Sequence, residues 1–231
     1  MLEFKAHASG SSGNFYTVTD ANQTLAIECG LRFADLRRAL GFRVSELCGC
    51  LVSHEHKDHS RAASDLARAG VDIYASAGTL AALGLSGARI NSVTVHERFF
   101  VGPWTVYPFD TTHDAAEPLG FVVITETGEK LLYASDTPYL KYMVEGLTVI
   151  AIECNYEASM LQESSLLPAV KRRIVHSHFS LEYVKGFLQA NDLSRVREIH
   201  LLHMSDGNSD AARFKREVQE LTGKPVVIAE M

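Results

Sequence analysis

A short run of residues in the first quarter of the chain is dense in groups that bind metal ions. The run reads Ser53-His54-Glu55-His56-Lys57-Asp58-His59. In extended backbone His54 and His56 project to the same side, because side chains alternate along a strand. Such a pair can bind one ion, and Asp58 and His59 can reach a second ion where the chain turns into a helix. Imidazole and carboxylate ligands suit zinc, manganese, iron or cobalt, so the spacing leaves the metal open.

Two ions need about six or more ligand side chains, so other parts of the chain must contribute. Three candidates follow or end predicted strands: His113 after residues 105–109, Asp136 after residues 131–134, and His203 at the end of residues 198–203. Asp136 is suited to bridge two ions because each carboxylate oxygen can bind one of them. A lone histidine at a strand end is more often a capping or surface residue. These candidates therefore depend on the first cluster.

The elements that must position these residues are short apolar runs alternating with amphipathic stretches, which indicates an α/β fold. Predicted strands cover residues 3–8, 15–19, 24–28, 48–52, 71–75, 92–96, 105–109, 120–125, 131–134, 148–152, 198–203 and 226–229. Predicted helices cover residues 33–40, 60–69, 181–190 and 210–221. The histidine cluster thus lies on a strand-to-helix loop. No internal repeat or linker-like tract interrupts the chain, which predicts one domain over residues 1–231.

Bulk properties restrict the class of protein. The chain has 231 residues, of which 46% are hydrophobic and 22% charged, and a net charge of −6. It lacks a basic block that could follow a phosphate backbone, so long nucleic acid is the less favoured partner. It also lacks an apolar run long enough for a membrane span and a basic-then-apolar start, so we expect a cytoplasmic protein with no membrane partner.

The four cysteines are Cys29, Cys48, Cys50 and Cys154, and each lies in or beside an apolar strand-like run. This placement favours buried reduced thiols over disulfides. Cys48 and Cys50 are separated by one residue, which is not the spacing of a structural zinc site.

The H-x-H-x-D-H string, the later histidines and aspartate, and the α/β alternation resemble the metallo-β-lactamase superfamily. More narrowly, the chain is similar to the phosphodiesterase branch of RNase Z, PhnP and YycJ-like proteins. The segments ASGSSGN at 8–14, HDAAEPLG at 113–120 and HFS at 178–180 look like YycJ-type sequence. The similarity runs from about Ser9 to about Asp206. It implies a four-layer αββα sandwich in a single domain, with a dinuclear metal site at one edge of the two sheets.

The resemblance also implies a role for each ligand. One ion would be held by His54, His56 and His113, the other by Asp58, His59 and His203, with Asp136 bridging them. We expect two divalent transition metal ions, zinc or manganese before the others.

The catalytic candidates that the resemblance implies are Asp58 and His178. His178 corresponds to the extra histidine of the phosphodiesterase branch and would act as general acid toward the leaving group. His176 is a rival for that role, and the alternative is that His178 only caps the helix beginning near Ser180.

The chain departs from this family in two respects. Many relatives carry Asp-Ala-Gly after the third strand, whereas this chain has Glu28-Cys29-Gly30, so a longer carboxylate must support the metal loop. The chain also lacks the large inserted domain of some nucleases and the long basic arm with which RNase Z holds tRNA. These absences weaken the nuclease interpretation.

Our leading prediction is a phosphodiesterase that hydrolyses a small anionic phosphodiester, a cyclic mononucleotide, by attack of a hydroxide shared between the ions. This substrate follows from similarity to anti-Pycsar proteins, which degrade cyclic pyrimidine signals. The alternatives are a YycJ-like 5′ exonuclease or RNase Z-like nuclease, a non-catalytic binding module, and a lactamase or thioester hydrolase.

Substrate binding is predicted for Ser12, Asn14, Tyr139 and Ser205. Tyr139, Tyr142 and Tyr156 could stack on a base, but a packing role in the fold is the commoner one for such tyrosines. We further expect a homodimer, with residues 156–173 as the place for a contact between copies.

Overall fold

Thirteen strands and eight helices form an α/β fold with two mixed sheets in the computed structural model, which describes residues 1–229. The strands are β1 (Glu3–Ala8), β2 (Phe15–Asp20), β3 (Gln23–Ile27), β4 (Leu47–Leu51), β5 (Ile73–Ser76), β6 (Ile90–Val93), β7 (Phe99–Val101), β8 (Trp104–Asp110), β9 (Leu119–Ile124), β10 (Lys130–Ala134), β11 (Val149–Glu153), β12 (Glu198–Leu202) and β13 (Val226–Ile228). The helices are α1 (Phe33–Ala39), α2 (Lys57–Ser60), α3 (Ala63–Arg68), α4 (Ala77–Leu83), α5 (Ala158–Glu163), α6 (Pro168–Ser177), α7 (Leu181–Ala190) and α8 (Ala211–Thr222). A 3₁₀ turn at Val44–Glu46 precedes β4.

Two compact units divide the described chain. The first unit contains residues 1–110 and 115–129, and the second contains residues 111–114 and 130–229. The single domain that the sequence predicts stays a prediction.

The first unit contains a six-stranded sheet in the order β1-β2-β3-β4-β5-β6. Strands β1 to β3 pair antiparallel, whereas β3 to β6 pair parallel. Helices α1, α3 and α4 bury Leu36, Leu66 and Leu80 against this sheet. Burial of each such side chain contributes about 1.5–3 kcal/mol. The same unit holds β7, β8 and β9, which pair antiparallel in that order.

The second unit contains the parallel strands β10, β11, β12 and β13. All five side chains of β11 are buried, as expected for a parallel strand covered on both faces. Helix α8 packs against β13 and α7. The carboxyl ends of parallel strands meet at one edge of a sheet, so residues that follow β10, β11 and β12 come close together.

The predicted α/β class is confirmed, but several element bounds are wrong. The helix predicted over residues 60–69 is two helices, α2 and α3, separated at Arg61 and Ala62. The strand predicted over residues 92–96 ends at Val93, and His96 has a left-handed backbone with φ 65°. Four elements were not predicted: β7, α4, α5 and α6. Within residues 1–229 no helix is long and apolar enough to cross a membrane.

Candidate metal centre

The histidine cluster spans the loop after β4 and the short helix α2 in the first unit, with Asp58 and His59 inside that helix. His54 Nε2 lies 3.1 Å from His56 Nδ1, so both imidazoles can face one ion. The His59 ring lies 4.2 Å from the His54 ring, centroid to centroid, and His59 Nε2 lies 3.5 Å from Asp58 Oδ2. The four side chains predicted from the sequence thus lie together.

Hydrogen bonds fix the backbone of this loop. The Ser60 hydroxyl donates to the carbonyl oxygens of Glu55 and His56, at 2.8 and 2.9 Å. The Glu55 carboxylate accepts a bond of 2.7 Å from the backbone N–H of Ala116. Because its own side chain is bonded within the fold, Glu55 is a loop-fixing residue in the middle of the ligand run.

The residues that follow β3 pack closely against the same segment. Gly30 lies so near the loop that a Cβ atom there would fall 1.7 Å from the backbone oxygen of Asp58. The backbone N–H of Cys29 also donates to His59 O at 2.7 Å. Glycine at position 30 is therefore required by the close approach of two backbones.

Glu28 supports the loop with a buried carboxylate. Its Oε2 accepts a bond of 3.3 Å from the Ser53 N–H, and its Oε1 lies 3.4 Å from His59 Nδ1. A carboxylate behind a ligand imidazole fixes the ring orientation and raises its basicity. Glu28 has φ 61°, an uncommon backbone conformation for a residue other than glycine. The longer carboxylate thus takes the supporting part that the sequence suggested.

The residues predicted to bind substrate occupy different environments. The Asn14 amide is buried, donates 3.2 Å to Asp58 O, and lies 3.1 Å from His59 Nε2. Its Oδ1 accepts from Gly10 N at 2.9 Å. Ser12 is exposed in the turn before β2. Asn14 therefore positions the ligand loop in addition to any contact with substrate.

The remaining predicted ligands lie together in the second unit. His113 Nε2 is 3.4 Å from Asp136 Oδ2, and His203 Nδ1 is 3.6 Å from Asp136 Oδ1. His113 Nδ1 lies 3.2 Å from the carbonyl oxygen of Ser177, and a hydrogen bond from Nδ1 to this oxygen would leave Nε2 as the atom that binds a metal. Asp136 and His203 have φ values of 53° and 49°. Such strained backbone concentrates at functional positions.

The residue that sequence reasoning missed is Glu153, the last residue of β11. Its side chain is fully buried, and its Oε1 lies 2.7 Å from His178 Nδ1 and 3.1 Å from His203 Nδ1. Ligand atoms of Asp136, Glu153, His178 and His203 all lie within 4.8 Å of one another. A glutamate at the end of an apolar strand carries no local signal of this role.

The Glu153–His178 pair changes the acidity of both groups. Burial lowers the pKa of His178, but attraction to the Glu153 carboxylate outweighs it, so the pKa lies above its ordinary value. Burial raises the pKa of Glu153, but attraction to His178 and hydrogen bonds from His178 and His203 leave that pKa lowered. Both shifts favour an imidazolium paired with a carboxylate.

The structure separates His178 from its rival. His176 is exposed on α6, whereas His178 is held by Glu153 directly after that helix. The N-cap of α7 is Ser180, whose hydroxyl accepts from Tyr183 N at 3.2 Å. His178 is therefore not the N-cap of α7.

The aromatic candidates and Ser205 lie in the second unit. Tyr156 is buried, whereas Tyr139 is 38% exposed in the segment after β10. Tyr142 is partly buried in the same segment. The backbone N–H of Ser205 donates to Asn155 O at 3.0 Å, directly after β12. Of the three tyrosines, Tyr139 is the one most open to a ligand.

The donor set in each unit fits a divalent transition metal. The first unit offers the His54, His56 and His59 imidazoles with the Asp58 carboxylate, and the second offers His113 and His203 with Asp136. Imidazole nitrogen and carboxylate oxygen bind zinc, manganese or iron, and the buried carboxylates Glu28 and Glu153 orient ligand imidazoles from behind. These histidine and aspartate donor sets are consistent with the binding of two divalent metal ions.

Its two mixed sheets, with histidines and aspartates at the strand ends, make this protein a metal-dependent hydrolase of the metallo-β-lactamase fold. A family model described as a beta-lactamase superfamily domain matches residues 23–204, and the chain belongs to this superfamily.

Individual proteins within this superfamily are similar to the chain in sequence and in structure. The chain is 27% identical over 226 residues to "Exodeoxyribonuclease YycJ" of Bacillus anthracis, covering 90% of this chain and 84% of that protein. It is 28% identical over 230 residues to "Exodeoxyribonuclease WalJ" of Streptococcus pneumoniae serotype 2, covering 90% and 83%. The metallo-beta-lactamase fold protein YhfI from Bacillus subtilis is similar in structure, with TM-score 0.76, 17% identity and coverage of 98% and 96%. The YycJ-like resemblance is confirmed.

Proposed function

We propose that the chain is a phosphodiesterase that uses two divalent metal ions, zinc or manganese. The ligands are those expected from the sequence: His54, His56, Asp58, His59, His113, Asp136 and His203. When bound, such ions supply Lewis acidity toward phosphate oxygens and a nucleophile derived from water. Family membership and the donor sets of both units support this proposal.

The observation that supports general-acid catalysis by His178 is the 2.7 Å contact between His178 Nδ1 and Glu153 Oε1. With Nδ1 donating to the carboxylate, the proton on Nε2 is free to be given to the leaving-group oxygen as the P–O bond breaks. Glu153 holds the ring in place and stabilises its positive charge. Asp58, the second catalytic candidate, has a partly exposed carboxylate that can accept a proton from the attacking water.

For the substrate, we propose an end of a DNA strand. Two relatives that align with 90% of this chain carry the name exodeoxyribonuclease. Their similarity outweighs our expectation from the sequence that long nucleic acid is the less favoured partner.

A cyclic mononucleotide is the second candidate substrate. It is favoured by the net charge of −6, because the protein lacks the excess of cations that a polymer-binding surface needs. A small anion requires only the local charge of the metal site.

One panel distinguishes the two substrates. Manganese- or zinc-loaded protein is incubated with 5′-labelled and 3′-labelled DNA strands, RNA, and cyclic mono- and dinucleotides. We expect mononucleotide release from DNA, and turnover confined to cyclic nucleotides would reverse the order of the two candidates. If the protein contains two bound metal ions per chain and turns over none of these diesters, the phosphodiesterase proposal is contradicted.

The role of His178 is tested by the leaving group. Because a general acid matters most for a poor leaving group, His178→Ala should lose about 10²–10⁴-fold in kcat on the natural diester. The loss on an activated nitrophenyl ester should be much smaller. Kinetics on both substrates measure the difference, with His176→Ala as the matched control. Equal losses on both substrates would contradict the acid role.

We further propose a homodimer contact through residues 156–173. This segment exposes Leu166, Leu167 and Val170, and Leu167 is 71% exposed. Light scattering of wild type and Leu167→Lys should show a dimer and a weakened dimer, and a wild-type monomer at high concentration would contradict the contact.

The cytoplasmic location expected from the sequence stays a prediction.

A further inference from the structure

A polar groove lies on the six-stranded sheet of the first unit, away from the histidine loop. Its volume is about 430 Å³, within the range of small-molecule sites. The side chains that give it chemical character are Lys5, His7, Thr17, Thr19, Arg38 and Arg43.

The groove lies beside the carboxyl end of α1, on one face of the sheet. Leu36 of α1 packs with Ala26 and Cys50 in the apolar core on that face. The helix ends at Ala39, and the chain turns away at Gly41, which has φ 58°. Beyond the helix end, the side chains of β1, β2 and β3 that line the groove are polar.

The strand register aligns these polar groups. Lys5 is paired with Thr17, and Thr19 is paired with Thr24. The Thr19 and Thr24 hydroxyl oxygens lie 3.2 Å apart, which places both on one face. His7 Nε2 lies 2.9 Å from the Thr17 hydroxyl oxygen. The groove floor is therefore a row of hydroxyl groups with one imidazole.

The groove rim is cationic in a protein whose overall charge is −6. The lining contains Lys5, Arg38 and Arg43 and one acidic residue, Glu46, but Arg38 is already paired with Asp35 at 2.5 Å. Arg43 lies 3.4 Å from Glu46, and both side chains are largely exposed, so this pair is weak. Exposed cations of this kind can exchange a carboxylate partner for a phosphate.

We propose that this groove binds a small phosphate ester of nucleotide size, at a site separate from the metal ligands. Lys5 and Arg43 bind the phosphate, while the threonine hydroxyls and His7 accept and donate hydrogen bonds to the sugar or base. The groove volume accommodates a mononucleotide. A simple inorganic anion would not fill it.

The separation from the metal ligands follows from β4. Leu47, at the start of this strand, lines the groove, and the histidine loop follows Leu51 at the other end. Five residues of strand span roughly 16 Å. The groove is therefore a separate place from the metal ligands, and a measurement of binding tests it without relying on the proposed reaction.

The test titrates adenosine 5′-monophosphate into the zinc-loaded full chain, by calorimetry and by NMR of the His7 ring. Lys5→Ala/Arg43→Ala should weaken the groove affinity at least about 10-fold, because two charge-assisted contacts are lost. The matched control is Arg68→Ala/Arg89→Ala, which removes the same charge from exposed arginines paired with Asp65 and Asp72. The control should bind like wild type.

The His7 signal identifies the groove even if the nucleotide also binds at the metal ligands. We expect the His7 ring resonances to shift with adenosine 5′-monophosphate in wild type and control, and inorganic phosphate to bind more weakly. Unchanged affinity in Lys5→Ala/Arg43→Ala, unmoved His7 resonances, or inorganic phosphate binding as tightly as the nucleotide would each overturn the proposal.

Discussion

The Glu153 carboxylate lies fully buried at the end of β11, where one oxygen faces the imidazoles of His178 and His203. A single side chain thus positions a proposed proton donor and a proposed metal ligand. The sequence Val-Ile-Ala-Ile-Glu predicts only a strand that ends in a charge. The contact with His178 joins residues 25 positions apart, so no local pattern could indicate it.

This arrangement makes Glu153 and His178 energetically coupled. Glu153→Gln should lower kcat on the natural diester by about 10–100-fold, since the amide cannot stabilise an imidazolium. The loss should again be smaller on a nitrophenyl ester. In a double-mutant cycle at saturating metal, the loss caused by Glu153→Gln should be smaller once His178 is alanine, and the remaining loss should reflect the contact of Glu153 with His203. Strictly additive losses would show that Glu153 does not act through His178.

His7 provides a second test at the residue scale. Burial and the nearby Lys5 cation lower the pKa of His7 from 6.5 to about 4. The folded protein therefore binds fewer protons than the unfolded chain, and stability should fall as pH drops from about 6.5 toward 4. A ring titration by NMR should give a midpoint near 4 for His7.

Comparison with a variant isolates the contribution of His7 to the pH dependence. His7→Gln should show a shallower fall in melting temperature over that window than wild type. A His7 titration midpoint at or above 6.5 would contradict the burial argument.

At the scale of elements, the sequence located most strands within one or two residues. The strand predicted at 15–19 is Phe15–Asp20, and that at 105–109 is Trp104–Asp110. Hydrophobic periodicity succeeds there because each run packs against a core. It fails where packing overrides pattern: helix α6 buries only Ser177, and the helix predicted at 60–69 is broken at Arg61 and Ala62.

The close approach of β3 and the ligand loop makes a prediction about glycine. Gly30→Ala should destabilise the protein by roughly 3 kcal/mol or more, because the new methyl group would overlap the Asp58 backbone. Urea unfolding and metal content measure the effect, and both stability and bound metal should fall.

Gly186 in α7 is the matched control, since a Cβ atom there meets nothing within 4 Å. Gly186→Ala should stabilise the protein by about 0.5–1 kcal/mol through helix propensity. A Gly30→Ala variant as stable as wild type would show that the loop can move away.

At the scale of the whole molecule, each unit places two carboxylates beside its own candidate ligands in a protein that is already acidic overall. They are Glu28, Asp58, Asp136 and Glu153, of which only Asp58 is not buried. Within each unit, a bound cation would offset the negative charge of the two carboxylates. Metal binding and folding stability should therefore be linked.

Metal removal tests this linkage. Dialysis against a chelator should lower the melting temperature, and adding zinc or manganese should restore it in a saturable way. A metal concentration 100 times the dissociation constant should stabilise the fold by about 2.7 kcal/mol per site. Calcium at the same ionic strength is the control and should restore less. A melting temperature unaffected by chelation, with metal absent by elemental analysis, would contradict the linkage.

The first unit is assembled from two stretches of chain, with residues 111–114 between them assigned to the second unit. Leu119 N donates to Ser53 O at 3.0 Å, and Ala116 N donates to the Glu55 carboxylate. During translation these donors leave the ribosome some sixty residues after the histidine loop, an interval of roughly 3–13 s at ordinary synthesis rates. During synthesis the histidine loop therefore lacks two of its hydrogen bonds for seconds. A translational pause between the two stretches would lengthen this interval.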